Sequence, residues 1–182
     1  MLGPADPLTT PRLALRPFVP DDADAVFAYA SQPGFFTFLD HVPLRIRSDY
    51  RPSDAESHLR ELASLAAAGW PSWAIVPHGG EPVGAIRFHR ASDGGPDPEL
   101  GYGIDPRRWG EGLASEAASA VMAWAAGRTT KAVARVHPAN EASRRVLERS
   151  GFRLVGPDGR GRLAFCWAPP NLNLAPASPE PS

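Results

Sequence analysis

The sequence predicts a single domain of mixed α/β class, in which a mostly antiparallel sheet of about seven strands carries about four helices on its two faces. Two observations lead to this fold class. The chain has 182 residues, a length that suits one domain. The predicted elements follow the order β-α-α-β-β-β-α-β-α-β-β. Three consecutive strands joined by short turns argue against a doubly wound parallel sheet, whose neighbouring strands need long crossovers.

The strands are assigned from alternating apolar residues and from the turns between them. Leu13 and Leu15 alternate with charged or small neighbours, and the His78-Gly79-Gly80-Glu81 segment predicts a hairpin turn. The predicted strands are 8–18, 73–76, 82–88, 99–104, 132–136, 152–155 and 163–167.

The helices are assigned from their start and stop signals. Ser53 is predicted as an N-cap because Glu56 follows it at the spacing of a capping box. Gly151 suits the position just after a helix end. The predicted helices run over 20–33, 53–69, 112–126 and 140–150, and residues 35–51 have no regular pattern.

Composition and charge disfavour three classes of protein. The 19 basic and 20 acidic residues give a net charge of -1, which excludes the strongly basic profile of a dedicated nucleic-acid binder. No apolar run approaches the 18 residues of a transmembrane helix, and the first residues do not resemble a signal peptide. With Cys166 as the single cysteine, we expect a cytoplasmic protein with neither a membrane nor a nucleic acid as partner.

Proline is frequent, with 21 of the 182 residues. Most prolines of the first 167 residues stand near the ends of predicted elements, which fits a folded domain over residues 1–167. The last fifteen residues hold five prolines and no apolar periodicity. We therefore expect residues 168–182 to form a disordered, Pro-rich tail.

The segment that follows the predicted strand 99–104 has the features of an anion site. A short loop with Gly110 and Gly112 leads into a predicted helix. The first N–H groups of a helix are unpaired and attract negative charge, and glycine lets a ligand come close to the backbone. The loop therefore predicts a site for a phosphate or pyrophosphate.

Three charged side chains modify this site. Arg107 and Arg108 would add positive charge, whereas Glu111 would oppose an anion unless it points outward. Two glycines before a helix are common by chance, so the spacing alone is weak evidence. The loop lacks the Gly-Lys-Ser/Thr of a Walker motif, and Ser115 stands where a dinucleotide fingerprint needs its third glycine.

Two motifs resemble those of the GCN5-related N-acetyltransferase (GNAT) superfamily. Arg107-x-x-Gly110-x-Gly112 matches its Arg/Gln-x-x-Gly-x-Gly/Ala motif for acyl-CoA pyrophosphate, between a strand and a helix. The segment from Asn140 to Phe152 resembles the second motif, Asn-x-x-Ser-x-Arg-Val-Leu-Glu-x-x-Gly-Phe, in the form typical of the RimJ/RimL ribosomal-protein acetyltransferases. The resemblance covers roughly residues 8–167.

The resemblance implies a GNAT fold, whose fourth and fifth strands splay apart, and an N-acetyltransferase that uses acetyl-CoA and no metal. The acceptor would be an amine, either a peptide N-terminus or a small molecule, that attacks the thioester directly. Backbone groups around Ile104 and the side chain of Asn140 would bind the pantetheine arm. The pyrophosphate would contact Arg107, Arg108, Gly110, Glu111, Gly112, Leu113 and Ala114. Either a monomer or a homodimer is compatible with this.

The resemblance also points to a proton donor for the departing thiolate. Many members of the family carry a tyrosine seven residues after the asparagine, and here that residue is Leu147. Ser143 lies one helical turn earlier on the same face, where the RimJ/RimL branch has a serine as its proposed donor. Alternatively, the Ser143 hydroxyl simply hydrogen-bonds CoA or its own backbone. Because a thiol has a pKa of about 8.5, the thiolate needs little help to leave.

Glu99 is the candidate base, since acidic residues at the start of this strand serve as a base or bind water in several members of the family. Strand alternation places Glu99 on one face with Gly101 and Gly103, which leaves room for a substrate. The alternative is a surface carboxylate at the edge of the strand. A weak base suits an α-amine, with a pKa of about 7.7–8.0, better than a lysine at about 10.4.

Other residues have two interpretations. His89 either faces the acceptor or is a surface or core histidine, and the five histidines lack metal-ligand spacing. Phe35, Phe36 and Phe38 either line an acceptor pocket or form a satellite hydrophobic cluster. Two alternatives to protein N-terminal acetylation also stand: acetylation of a small-molecule amine, and an acyl-CoA-binding module without turnover.

Overall fold

A computed structural model describes residues 1–39 and 42–169. Eight strands form one sheet in the order β1-β2-β3-β4-β5-β6-β8-β7. Within it, β5 and β6 run parallel, and the other neighbours are antiparallel. The strands are β1 (Leu8–Thr9), β2 (Leu13–Arg16), β3 (Ser72–Pro77), β4 (Gly84–Arg90), β5 (Pro98–Ile104), β6 (Ala132–Val136), β7 (Arg153–Pro157) and β8 (Leu163–Trp167).

Within the part of the chain that the structure describes, five α-helices accompany the sheet. The main hydrophobic core joins the sheet to α4 and α5, where fully buried alanines such as Ala117 and Ala118 let α4 approach the strands closely. A second cluster, centred on Val26 and Leu62, joins α1 to α3. The helices are α1 (Ala23–Ala30), α2 (Leu44–Ser48), α3 (Pro52–Ala67), α4 (Leu113–Ala125) and α5 (Glu141–Arg149).

The two central strands present different residues to the two faces of the sheet. Ile86 and Phe88 of β4 and Leu100 of β5 are buried in the main core. Side chains alternate along a strand, so the intervening residues face the side of α1 and α3. Those residues are Arg87 and His89 on β4, and Glu99, Gly101 and Gly103 on β5.

The observed architecture confirms the mixed, mostly antiparallel sheet with flanking helices. The predicted first strand is in fact two short strands, β1 and β2, because the Thr10 hydroxyl accepts a hydrogen bond from the Leu13 amide and turns the chain. The predicted fourth and fifth strands are therefore β5 and β6. The short helix α2 was not predicted, since its five residues bury no side chain and leave no apolar period.

The prediction that Ser53 caps the third helix was wrong. This helix begins at Pro52, and Arg51 is its N-cap. Proline suits the first helical position because it lacks the N–H that a helix start leaves unpaired. The carboxylate of Asp54, rather than Glu56, accepts a hydrogen bond from the Arg51 amide at 2.9 Å. Apart from residues 168 and 169, the predicted tail lies outside the described residues.

Candidate active site

A cleft opens between β5 and β6. These parallel strands pair at Glu99 and Val133, and beyond that pair they separate. The amide of Asp105 donates to the carbonyl of Val83 at 2.8 Å. The N–H and C=O groups of the odd-numbered β5 residues therefore point toward β4. Because backbone groups alternate along a strand, those of Tyr102 and Ile104 face the cleft.

The loop after β5 closes the far end of this cleft. Its first turn is a 3-10 helix over Pro106–Arg108, capped by the carboxylate of Asp105. Gly110 and Gly112 have φ values of 85° and 79°, a left-handed conformation that costs other residues about 1–2 kcal/mol. Gly112 is the N-cap of α4, so its geometry sets the direction of the first free N–H groups of that helix.

Both arginines of the loop are paired with acids of the same loop. Arg107 donates to the buried carboxylate of Asp105 at 2.6 Å, and Arg108 donates to Glu111 at 2.6 Å. Burial opposes ionisation of Asp105, but its hydrogen bonds with Arg107 hold its pKa below the usual value. Glu111 therefore compensates Arg108, and the unpaired positive end of the α4 dipole faces the cleft.

Residues of the first hairpin anchor the loop, and the sequence did not predict this contact. Arg12 donates from Nε to Glu116 at 2.6 Å and from Nη1 to the Glu111 carbonyl at 2.8 Å. Thr10 donates to the same Glu116 carboxylate at 2.5 Å. In addition, Trp109 donates from Nε1 to the Ile104 carbonyl at 2.9 Å. The loop is thus tied to both β2 and β5.

The start of α5 forms a second wall of the cleft. Asn140 is the N-cap of this helix, and its Oδ1 accepts a hydrogen bond from the Ser143 amide at 3.1 Å. The Tyr102 hydroxyl donates to the Ser143 carbonyl at 3.0 Å. Leu147 is 1% exposed and belongs to the main core. Ser143 is therefore the hydroxyl-bearing residue that α5 places beside β5.

Glu99 is buried in an ion pair below the cleft. It is 4% exposed, so the expectation of a surface carboxylate was wrong. Its Oε2 accepts hydrogen bonds from Arg135 Nη1 at 2.7 Å and from the amide and hydroxyl of Ser92 at 2.7 and 2.9 Å. Arg135 lies on β6 and also contacts Asp93 and Asp158. This network joins β5 to β6 where the cleft closes, and Arg135 compensates the charge of Glu99.

An aromatic loop crosses the cleft on the side of α1 and α3. Phe35 packs on β5, where its ring lies 3.1 Å from the position of a Cβ at Gly103. Phe38 packs on His137, just after β6, with ring centroids 5.4 Å apart. Phe35 and Phe36 also pack against the cluster of α1 and α3. Phe35 and Phe36 thus belong to a satellite hydrophobic cluster, and an acceptor pocket lined by these phenylalanines stays a prediction.

Two further properties of the described residues bear on function. No helix within residues 1–39 and 42–169 is long and apolar enough to cross a membrane. Over the same ranges, no group of three or more His, Cys, Asp or Glu side chains is close enough to hold a metal ion.

Comparison with known proteins places this fold and loop in a family. The model of the acetyltransferase (GNAT) domain matches residues 12–153. The chain is 31% identical over 156 residues to the "Uncharacterized N-acetyltransferase YoaA" of Bacillus subtilis, covering 82% of this chain and 84% of YoaA.

Solved structures agree with that match. An acetyltransferase from Agrobacterium tumefaciens is 27% identical, with a TM-score of 0.70 over 90% of this chain and 94% of the other. RimJ of Mycobacterium smegmatis, solved with CoA-disulfide, is 23% identical, with a TM-score of 0.76 over 93% of this chain and 89% of RimJ. At that identity the likeness to RimJ shows the shared fold.

Proposed function

This chain belongs to the GNAT family of acetyltransferases, and on that premise we propose that it moves the acetyl group of acetyl-CoA to a primary amine by direct attack in a ternary complex. The observation that carries the proposal is the cleft between β5 and β6. One of its sides bears unpaired backbone groups, and it ends at the N-terminus of α4. Such a cleft suits an extended ligand with amides along its length and phosphates at one end.

The chain's own groups divide the work of holding acetyl-CoA. The N–H groups of Leu113, Ala114 and the preceding loop would bind the pyrophosphate, since Arg107 and Arg108 are already paired with acids. Backbone groups of Tyr102 and Ile104 would hydrogen-bond the pantetheine amides, with the Ile104 carbonyl shared with Trp109. The structure of RimJ with CoA-disulfide supports CoA as the ligand of this fold.

The reaction forms one C–N bond and breaks one C–S bond. The amine lone pair attacks the thioester carbon, the carbonyl oxygen becomes an oxyanion, and CoA departs as a thiolate while the nitrogen loses a proton. Ser143 is the side chain we assign beside the sulfur, as a hydrogen-bond donor to the thiolate. A serine hydroxyl is a poor acid, so Ser143 would stabilise this charge rather than give up its proton.

The acceptor that suits this site best is an α-amine, as in RimJ/RimL-type acetylation of protein N-termini. An α-ammonium loses its proton with a pKa of about 7.7–8.0, against about 10.4 for lysine, a difference of about 3.7 kcal/mol. Arg135 compensates the negative charge of Glu99, so Glu99 does not act as a strongly charged base next to the cleft. Such a site favours an amine that is partly neutral at physiological pH.

One observation favours a second candidate, an acyl-CoA-binding module without turnover. The position of the usual tyrosine acid is Leu147, which is buried in the core and offers no proton. The two candidates predict the same affinity for acetyl-CoA, so the presence or absence of transfer separates them.

The test is an assay of free CoA thiol with purified full-length chain, acetyl-CoA and three acceptor sets. The sets are short peptides with free N-termini, the same peptides with blocked N-termini and one lysine, and small polyamines. We expect transfer to free N-termini with a kcat/KM at least tenfold above the blocked peptides. A preference for polyamines would contradict acetylation of protein N-termini and would indicate acetylation of a small-molecule amine. Acetyl-CoA binding without transfer to any set would contradict it.

A further inference from the structure

Resting on the acetyl transfer proposed above, we propose that His89 is the general base that accepts the proton of the attacking amine. His89 lies on β4, on the face of the sheet that looks toward α1 and α3. It is the neighbour of Glu99 across the strand pair, and whereas Arg135 compensates the charge of Glu99, His89 has a ring nitrogen that can accept a proton.

The tautomer of His89 follows from one hydrogen bond. Its Nδ1 lies 2.8 Å from the carbonyl oxygen of Arg90. A carbonyl only accepts, so Nδ1 carries the hydrogen. In a neutral imidazole the other nitrogen, Nε2, then holds a lone pair. Among residues 1–39 and 42–169, no protein group donates a hydrogen bond to Nε2, which leaves it available to a substrate.

The position of Nε2 relative to the cleft is suitable. Gly101 lies on the same face of β5 as Glu99 and is the next residue on that face, at the point where β5 separates from β6. The His89 Nε2 lies 3.3 Å from the position that a Cβ at Gly101 would occupy. The imidazole therefore packs on the glycine backbone, which carries no side chain, at the closed end of the cleft. With phosphates at the α4 end, an extended arm would bring its thioester toward this closed end.

Ser143 and His89 approach β5 from opposite faces. Tyr102 points toward the main core and α5, where its hydroxyl meets the Ser143 carbonyl, whereas Gly101 faces His89. An amine entering beside His89 would attack the carbonyl from one face, and the sulfur would leave toward Ser143. This arrangement separates the proton acceptor from the group that stabilises the thiolate.

The surroundings of His89 favour its neutral form. Burial disfavours the imidazolium and lowers the pKa of His89 below its usual value. Arg87 on the same strand and Arg135 on β6 lower it further, while Glu99 on β5 and the Arg90 carbonyl act in the opposite direction. A neutral imidazole is the form that accepts a proton at physiological pH.

The same charges bear on the acceptor. Proton transfer to a group with a pKa below about 6.5 is uphill by at least about 1.2 pKa units from an α-ammonium and about 4 pKa units from a lysine. His89 would take the proton as the C–N bond forms and release it to solvent after the product leaves. A base of this strength reinforces the preference for α-amines.

The test compares His89→Gln with the control His78→Gln, whose exposed side chain at the β3–β4 turn hydrogen-bonds the Thr10 carbonyl. The assay uses the free-N-terminus peptides and acetyl-CoA. We expect His89→Gln to lower kcat by about 10²–10⁴-fold with the CoA dissociation constant within twofold of wild type, and His78→Gln to match wild type. Imidazole added to His89→Ala should restore activity in a saturable way, with a pH dependence that follows neutral imidazole.

The outcomes separate this inference from the proposed function. Full kcat in His89→Gln, or no rescue of a folded His89→Ala by imidazole, would overturn the role of His89 while leaving acetyl transfer intact. A wild-type chain that acetylates no amine would overturn the proposed function instead. A weakened CoA affinity in His89→Gln together with the loss of kcat would mark His89 as structural and contradict its role as a base.

Discussion

The hydroxyl of Tyr102 donates a hydrogen bond to the backbone carbonyl of Ser143 over 3.0 Å, which joins β5 to α5 beside the cleft. The bond is partly buried, and burial raises the pKa of Tyr102, so the phenol stays protonated and keeps donating. Ser143 is thus held twice, through its carbonyl by Tyr102 and through its amide by Asn140. The position of its hydroxyl depends on both partners.

Replacing Tyr102 by Phe should loosen this arrangement. The variant loses one partly buried hydrogen bond, which costs about 1 kcal/mol of unfolding free energy. We expect kcat to fall severalfold because Ser143 is less firmly placed. Urea unfolding and steady-state kinetics measure the two effects. Tyr50→Phe is the control, and equal kinetic losses in both variants would refute a specific role for Tyr102.

The left-handed glycine at the start of α4 should matter for cofactor binding. Gly112→Ala places a Cβ on a residue with φ of 79°, which strains the loop by about 1–2 kcal/mol and turns the free N–H groups of α4. We expect the CoA dissociation constant to rise at least tenfold by calorimetry. Gly79→Ala is the matched control, since Gly79 has a φ of 74° in an exposed turn. It should lose similar stability and bind CoA normally.

Removing the charge of Glu99 should affect stability more than chemistry. Glu99→Gln leaves Arg135 with Asp93 and Asp158 but without its closest buried partner below the cleft. Breaking a buried pair commonly costs about 3–5 kcal/mol of unfolding free energy. Because Asp93 and Asp158 still contact Arg135, we expect a loss of about 2 kcal/mol. We expect the folded variant to keep kcat within about threefold. A loss of about 100-fold in kcat without a loss of stability would instead identify Glu99 as the base.

A double-mutant cycle isolates that ion pair. Arg135→Met alone leaves Glu99 buried without its cation, whereas the double variant leaves no buried charge of the pair. We expect the double variant to be less destabilised than the sum of the single variants by about 1 kcal/mol or more. Additive losses would show that the two side chains do not stabilise each other.

His58 should make stability depend on pH. Burial, with the nearby Arg87, lowers its pKa to about 4. Between pH 4 and 6.5 the unfolded chain binds a proton that the folded chain does not, so stability is full above about 6.5 and falls as the pH drops toward 4. Since the side chain is 32% exposed, we expect a loss on the order of 1–2 kcal/mol. Unfolding of wild type and His58→Gln over this range measures it; parallel pH profiles would contradict it.

Local patterns predicted the elements that carry the cleft. The bounds of β6 agree with the predicted strand 132–136, and α5 begins just after Asn140, where the predicted helix 140–150 begins. Alternation also placed Gly101 and Gly103 on one face with Glu99, and the rings of His89 and Phe35 take up part of the room expected there for a substrate. These features depend on residues close together in the sequence.

Contacts between distant residues were not visible in the sequence. Arg135 neutralises Glu99 from 36 positions away, which turned an expected surface carboxylate into a buried ion pair. Arg12, in the first hairpin, binds Glu116, which lies 104 positions later in the sequence. Both contacts depend on strand order and helix placement, which local periodicity does not specify.

The most direct test of direct transfer in the cleft is a single-turnover experiment read by intact-mass spectrometry. Wild-type chain is mixed with stoichiometric acetyl-CoA and a peptide with a free N-terminus, and the masses of protein and peptide are followed together. We predict one acetyl group on the peptide α-amine for each CoA thiol released, with the protein mass unchanged throughout. An acetylated protein that precedes the acetylated peptide, or CoA release without peptide acetylation, would contradict the account.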